Sequence, residues 1–139
     1  MSKLKRDDLI QPDLSYEIVG ACFDVFKEIG GQHKERYLQK ALMVAFGKRD
    51  LKFKREVSIP LKYQEVVVGK YILDFIVEDT VVVEIKSSGQ FKTSDFEQIK
   101  QYLANTKTEL GLLIRFSEKG VTYQRILKPK IINVDQKLS

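Results

Sequence analysis

The sequence has little of the chemistry on which many enzymes and secreted proteins depend. Its 139 residues include one cysteine, Cys22, and one histidine, His33. A single cysteine excludes a disulfide within the chain and is typical of a reducing compartment, so we expect a cytoplasmic protein. Because there is no second histidine or cysteine, the sequence does not contain the ligand spacing of a zinc site.

Long apolar runs and phosphate-binding loops are missing as well. No segment approaches the roughly 18 apolar residues of a membrane-spanning helix, so we expect no membrane association. The N-terminal stretch MSKLKRDDLIQPD has no apolar segment of the kind that signal peptides need. The pair Gly30-Gly31 matches no phosphate-binding pattern, and no Ser/His/Asp or Cys/His combination indicates a nucleophilic enzyme.

What remains is the composition of a basic globular protein. Apolar residues make up 43% and charged residues 31% of the chain, with a net charge of +5. This length predicts one domain over 1–139, with its core at about 14–128 and peripheral termini at 1–12 and 129–139. The positive charge mildly favours a polyanionic partner.

Hydrophobic periodicity predicts the element order ααβββαββ, an α/β domain with a mixed sheet. Two helices come first, ending near Gly30 and Arg49. A third helix begins near Ser94, with Ser94 and Glu97 as a predicted capping box. The predicted strands have the sequences FKREVSIPLKY, VVVGKYILDFIV, VVVEIK, LGLLIRF and VTYQRILK.

Three charged residues interrupt the second and third strands. If Glu78, Asp79 and Thr80 form the loop of a hairpin, Asp74 falls directly opposite Glu84, with Cβ atoms roughly 4.5–5.5 Å apart. Because side chains alternate along a strand, Lys86 projects from the same face as Glu84. Ile72, Ile76 and Val82 share that face, so we expect it to be half-buried.

Two opposed carboxylates on such a face repel each other, and burial increases the penalty. A divalent cation between Asp74 and Glu84 removes the conflict, and Mg²⁺ favours one or two carboxylates with waters and phosphate oxygens. Lys86 is then placed to hold a phosphate or to orient a water molecule. The alternative is a solvated hairpin end in which Lys86 simply neutralises Glu84.

Three further residues are candidates by position. Glu35 lies on the apolar stripe of the second helix, so its carboxylate points toward the sheet unless it only stabilises the helix N-terminus. Gln98 and Tyr102 are four residues apart on the third helix and share one face. Such a pair is also common as a simple packing or solvent-facing feature.

Taken in order, Asp74, then Glu84-Ile85-Lys86, then QIKQY from Gln98 to Tyr102, resemble the motifs of the PD-(D/E)XK nuclease superfamily. The chain is similar, more narrowly, to the small GxxExxY proteins over about 14–116. The glutamate of that signature matches Glu35, but its glycine position falls on Gln32 and its tyrosine position on Leu38. The signature is therefore incomplete in this sequence.

The resemblance implies a restriction-endonuclease-like core, αβββαβ, around a central mixed sheet flanked by helices. It also implies a catalytic set in which Asp74, Glu84 and the Ile85 carbonyl bind Mg²⁺, with Mn²⁺ as a substitute. Glu35 would reach the metal directly or through water, and Lys86 would activate the attacking water. Gln98 and Tyr102 would steady the site or touch the substrate backbone.

Three functions stay open at this point. The first is a Mg²⁺-dependent nuclease acting on nucleic acid, with DNA favoured. The second is a non-catalytic nucleic-acid-binding or assembly module on the same fold, with phosphate contacts from the basic run Lys48, Arg49, Lys52, Lys54 and Arg55. The third is a structural protein without a nucleic-acid role. Exposed strand edges also leave room for a homodimer.

Overall fold

The structure, a computed structural model, describes residues 11–128. The element order is ααβββαββ, as predicted. The predicted peripheral termini lie almost wholly outside the described residues. The elements are α1 (Pro12–Ile29), α2 (Glu35–Lys48), β1 (Phe53–Tyr63), β2 (Val66–Val77), β3 (Val81–Lys86), α3 (Thr93–Ala104), β4 (Leu110–Ser117) and β5 (Gly120–Leu127).

The five strands form one mixed sheet in the order β1-β2-β3-β4-β5. β3 and β4 run parallel, whereas every other neighbouring pair is antiparallel. A parallel pair needs a crossover connection, and α3 supplies it. β3 lies at the centre, and its residues Val81–Ile85 are all buried. This position explains why the strand is almost continuously apolar and why Glu84 stands out in it.

Each face of the sheet carries its own core. α1 and α2 pack on one face, where Phe46 meets Phe75 edge to face with ring centroids 5.3 Å apart. α3 packs on the other face, through Ile99 and Leu103. Gly111 allows this approach, since a Cβ atom there would lie 2.4 Å from the Ile99 Cγ2 atom. The helix that carries QIKQY is therefore held tightly against β4.

Turn chemistry fixes two of the three hairpins. Glu78 and Asp79 both have positive φ, at 52° and 56°, and the Thr80 N–H donates to the Val77 carbonyl. This left-handed pair suits the right-handed twist of the flanking strands. Gln64 and Glu65 do the same between β1 and β2, with φ of 48° and 68°.

The predicted cap of the third helix was wrong. α3 begins after Lys92, whose N–H donates to the Asp95 carboxylate over 2.8 Å, so Asp95 caps this helix rather than the Ser94/Glu97 pair. Tyr63 is 67% exposed at the tip of the β1–β2 hairpin. Within residues 11–128, no helix is both long and apolar enough to span a bilayer.

Candidate active site

At Asp74 and Glu84, side-chain hydrogen bonds replace the backbone pairing between β2 and β3. The predicted pairs Val77–Val81 and Phe75–Val83 are present, and regular pairing stops there. Beyond it, the Asp74 N–H donates to Glu84 Oε1 over 2.6 Å. The Ile85 N–H donates to Asp74 Oδ2, also over 2.6 Å. Each carboxylate therefore binds the backbone of the opposite strand, which holds both beside one point of the sheet.

The strand alternation breaks at the same point. Leu73 packs in the core on the α3 side, whereas Phe75, two residues on, packs on the α1–α2 side. On β1, the pairs to Leu73 and Phe75 flank Glu56, which has a φ of 51° and no ladder partner of its own. A side chain in the left-handed region is strained, so this distortion is maintained by its surroundings. It opens the sheet where the carboxylates lie.

Burial makes these two carboxylates costly to ionise. Burial is the main cause that raises the pKa of Glu84 to about 8, and the negative charge of Asp74 adds to it. Burial likewise raises the pKa of Asp74 to about 6, with a further contribution from Glu35. Glu84 is only 8% exposed. The pair therefore lacks enough positive charge of its own for both groups to ionise easily.

A hydrogen-bonded chain from α2 and β1 holds Asp74. The Gln39 side-chain amide donates to Asp74 Oδ1 over 3.0 Å, and Arg55 donates to the Gln39 oxygen over 3.3 Å. Both residues are part-buried. The Arg55 Nε atom is buried and has no hydrogen-bond partner among the described residues. Asp74 is thus fixed on one side by the Ile85 N–H and on the other by Gln39.

Lys86 follows on β3 and pairs with α3. Its ammonium lies 3.3 Å from Asp95 Oδ1. Burial lowers the pKa of Lys86, but Asp95, with the charges of Glu35 and Glu84, outweighs that effect, so the pKa lies above its usual range. Lys86 therefore stays protonated beside the carboxylate pair.

Glu35 reaches the same region from the first turn of α2. Its Oε2 atom lies 3.4 Å from the Ser87 N–H, at the end of β3. Its charge is felt by both Asp74 and Lys86. The structure therefore brings Glu35, Asp74, Glu84, Ile85 and Lys86 together.

Gln98 and Tyr102 lie at the side of this group. The Gln98 amide donates to the Ile72 carbonyl over 3.2 Å, which ties α3 to β2 two residues before Asp74. Tyr102 packs at the edge of the α3-side core and lines a groove that runs away from the carboxylates. Ile72 itself is 46% exposed, so the expectation that it lies on a half-buried face was wrong.

The donor set suits a hard divalent cation. A cation between two close carboxylates with raised pKa values would offset the repulsion between their charges. Within residues 11–128, no three His, Cys, Asp or Glu side chains converge as a ready-made metal cage. A cation at this place would complete its coordination with main-chain oxygen, water and phosphate, as Mg²⁺ commonly does.

Sequence reasoning missed Gln39 and Asp95 and misread Arg55. Gln39 had a signal, since it follows Glu35 by four residues and shares its face of α2. The basic run also proved heterogeneous, because Arg49 binds Glu17 and Asp24 at 2.9 Å each. Lys54 lies 3.1 Å from Asp79. Arg49 and Lys54 therefore form ion pairs within the protein.

Comparison with known proteins identifies the family. The family model of the PD-(D/E)XK nuclease superfamily matches residues 12–126, so the chain belongs to that superfamily. Nucleases of this class typically use divalent metal ions. No curated protein matches the sequence.

Solved structures share the fold. One is the crystal structure of SSO0001, with a TM-score of 0.52 and 19% identity over 87% of this chain and 61% of that one. The chain therefore spans less than two thirds of SSO0001. Another is an alkaline exonuclease, LHK-Exo, from Laribacter hongkongensis, with a TM-score of 0.51 and 13% identity over 93% of this chain and 73% of that one. At these identities the likeness concerns the fold alone, and it confirms the restriction-endonuclease-like core.

Proposed function

We propose that the protein is a metal-dependent nuclease that hydrolyses phosphodiester bonds of nucleic acid, with Mg²⁺ as the ion and DNA as the favoured substrate. The observation that carries the proposal is that Asp74 and Glu84 each accept a hydrogen bond from the backbone of the neighbouring strand, where the regular β2–β3 pairing has ended. Two carboxylates held together away from solvent, with raised pKa values, destabilise the fold when both are ionised. Such a pair is useful where a cation has to be bound.

Asp74 and Glu84 would hold the ion, with the Ile85 carbonyl as a further ligand. The Ile85 N–H already binds Asp74, which holds the backbone of this residue beside the pair. Glu35 is placed to act through water. A bound divalent ion lowers the pKa of a coordinated water and stabilises charge on the phosphoryl oxygens.

Lys86 supplies the positive charge of the site. In hydrolysis a water oxygen bonds to phosphorus while the bond to the leaving oxygen breaks, and negative charge builds up on the phosphoryl oxygens. A protonated Lys86 close to Glu84 is positioned to orient that water and to stabilise the developing charge. Asp95 holds the ammonium in place from α3.

Gln39 and Arg55 act as positioning residues. Gln39 donates to Asp74 and accepts from Arg55, so it fixes the carboxylate while leaving its charge available. Groups that orient metal ligands in this way commonly change metal affinity or activity by roughly 10–100-fold.

Cleavage of labelled single- and double-stranded DNA and of RNA, with Mg²⁺ or Mn²⁺, tests the proposal. We expect cleavage by the wild type and its loss in Glu84→Gln and in Lys86→Gln. Glu65→Gln and Lys70→Gln are matched controls, because both residues are exposed in the β1–β2 hairpin. They should cleave like the wild type.

Two results would speak against the assignment. Cleavage that persists in Glu84→Gln would place the active site elsewhere or reveal a contaminant. Tight nucleic-acid binding without cleavage in any divalent ion would favour the alternative, a non-catalytic binding or assembly module. Closer membership in the GxxExxY group, a homodimer and a cytoplasmic location stay predictions.

A further inference from the structure

A groove separates the β1–β2 hairpin from α3, and the proposed function does not yet use most of it. Its volume is about 520 Å³, within the range of about 300–1,000 Å³ usual for ligand sites. One end holds Gln98, whose amide binds the backbone two residues before Asp74. The groove therefore begins beside the candidate active site and leads away along α3.

The walls of the groove combine flat apolar surface with amide groups. Val57 and Ile59 of β1 and the part-buried ring of Tyr71 form the hairpin side. Gln101 and Asn105, on successive turns, stand on the helix side. Rings stack with nucleobases, and side-chain amides can both donate to and accept from base edges.

The charge of the groove agrees with a polyanionic occupant. Among the described residues that line it, Lys62 is the charged one and none is acidic. The other sizeable cavity, about 270 Å³ between α1 and α2, is lined by two acidic residues, Asp24 and Glu28, and by Lys48. Its charged lining is acidic on balance, whereas that of the hairpin groove is basic.

We infer that this groove binds a single strand of nucleic acid next to the active site, with Tyr71 as a stacking platform and Lys62 as a phosphate contact. Individual unstacked bases can enter a groove of this size and reach its apolar walls, whereas bases in a duplex are paired and stacked. The inference rests on the proposed function, since it names the strand form that this nuclease would take.

Binding without metal tests the inference separately from cleavage. Fluorescence anisotropy with labelled oligothymidine should show that Lys62→Glu weakens binding by about tenfold, more so at low salt. Lys100→Glu is the matched control, because Lys100 is an exposed lysine of α3 that does not line the groove. It makes the same change in net charge and should alter affinity by less than about twofold.

The ring of Tyr71 is tested by a pair of substitutions. Tyr71→Ala should weaken binding by roughly tenfold, whereas Tyr71→Phe, which keeps the stacking surface, should bind like the wild type. Photocrosslinking of a bromodeoxyuridine oligonucleotide to the wild type gives a measurement that needs no variant. The crosslinked peptide should contain Tyr71 or Tyr102. Oligouridine distinguishes RNA from DNA as the strand, and a duplex of equal length should compete poorly.

Equal losses in Lys62→Glu and Lys100→Glu, or crosslinks outside the groove, would overturn the inference. If the wild type cleaves while the groove variants bind normally, the nuclease proposal stands and the groove proposal fails. If binding depends on the groove but no divalent ion supports cleavage, the nuclease proposal fails alone.

Discussion

Asp74 and Glu84 each accept a 2.6 Å hydrogen bond from the backbone of the other's strand, and Glu84 is buried while Asp74 is part-buried. These hydrogen bonds favour the ionised carboxylates, but burial and the neighbouring negative charges outweigh them and raise both pKa values. Without a cation, ionising both groups must destabilise the fold. Stability and function are therefore opposed at this pair.

The substitution Glu84→Gln should separate the effect on stability from the effect on cleavage. Glutamine keeps an oxygen that can accept the Asp74 N–H but removes the repulsive charge, so the metal-free protein at pH 8 should melt a few degrees higher. Cleavage should fall by about a hundredfold or more, since a metal ligand is lost. Glu109→Gln, a change at an exposed glutamate, should alter neither quantity. A lower melting temperature together with lost cleavage would point to simple misfolding.

The pH dependence of stability follows from the direction of the two shifts. Because the folded pKa values, about 6 for Asp74 and about 8 for Glu84, lie above ordinary ones, the native state holds more protons than the unfolded chain. The contribution to stability is complete below about pH 4 and is lost as the pH rises through the folded values. The metal-free melting temperature should therefore fall between about pH 5 and pH 9.

Added Mg²⁺ should counter that loss. The ion binds the ionised pair, so its stabilising effect should grow from pH 5 to pH 8. Glu84→Gln should show a flatter profile and little response to Mg²⁺. A wild-type melting temperature that rises across this range would contradict the assigned burial of the pair.

Gln39→Leu tests the chain that holds Asp74. The substitution removes the donor to Asp74 and the acceptor for Arg55, so Mn²⁺ affinity measured by calorimetry should weaken by roughly 10–100-fold. Lys40→Leu, at the exposed neighbouring position of α2, is the control and should leave the affinity unchanged. An unaltered affinity in Gln39→Leu would show that Asp74 needs no support from α2.

Lys86→Gln separates charge stabilisation from metal binding. Cleavage should fall by about a hundredfold or more, because the positive charge beside the scissile phosphate is lost, while Mn²⁺ should still bind. Lys86 also lowers the pKa values of Asp74 and Glu84. Its removal should move the loss of stability to higher pH. Lys54→Gln, at a surface lysine paired with Asp79, should move neither.

The sequence predicted the hairpin well because its signals agree. Two valine-rich runs flank a polar turn, and counting from Asp79 predicts the pairs Val77–Val81 and Phe75–Val83, which are present. The same count puts Asp74 opposite Glu84. Asp74 and Glu84 themselves are not a ladder pair and meet through a side-chain hydrogen bond instead. The same count could not reveal that the ladder opens there. Nothing in the residue types signals that Glu56 adopts a left-handed conformation.

That irregularity also hid Arg55. Strict alternation along β1 puts Phe53, Arg55 and Val57 on one side, whereas Phe53 and Val57 pack in different cores. Arg55 consequently reaches Gln39 rather than a solvent-facing basic run. Asp95 was obscured in another way, since the pattern SDFE suggested a cap two residues later than the one that forms.

The metal site itself is tested most directly by anomalous diffraction from a crystal soaked in Mn²⁺. The account predicts an anomalous peak between the carboxylates of Asp74 and Glu84, within coordination distance of the Ile85 carbonyl, and its absence from Glu84→Gln crystals. A saturating soak that leaves this position empty, with the two side chains still bound to the opposite backbones, would contradict it.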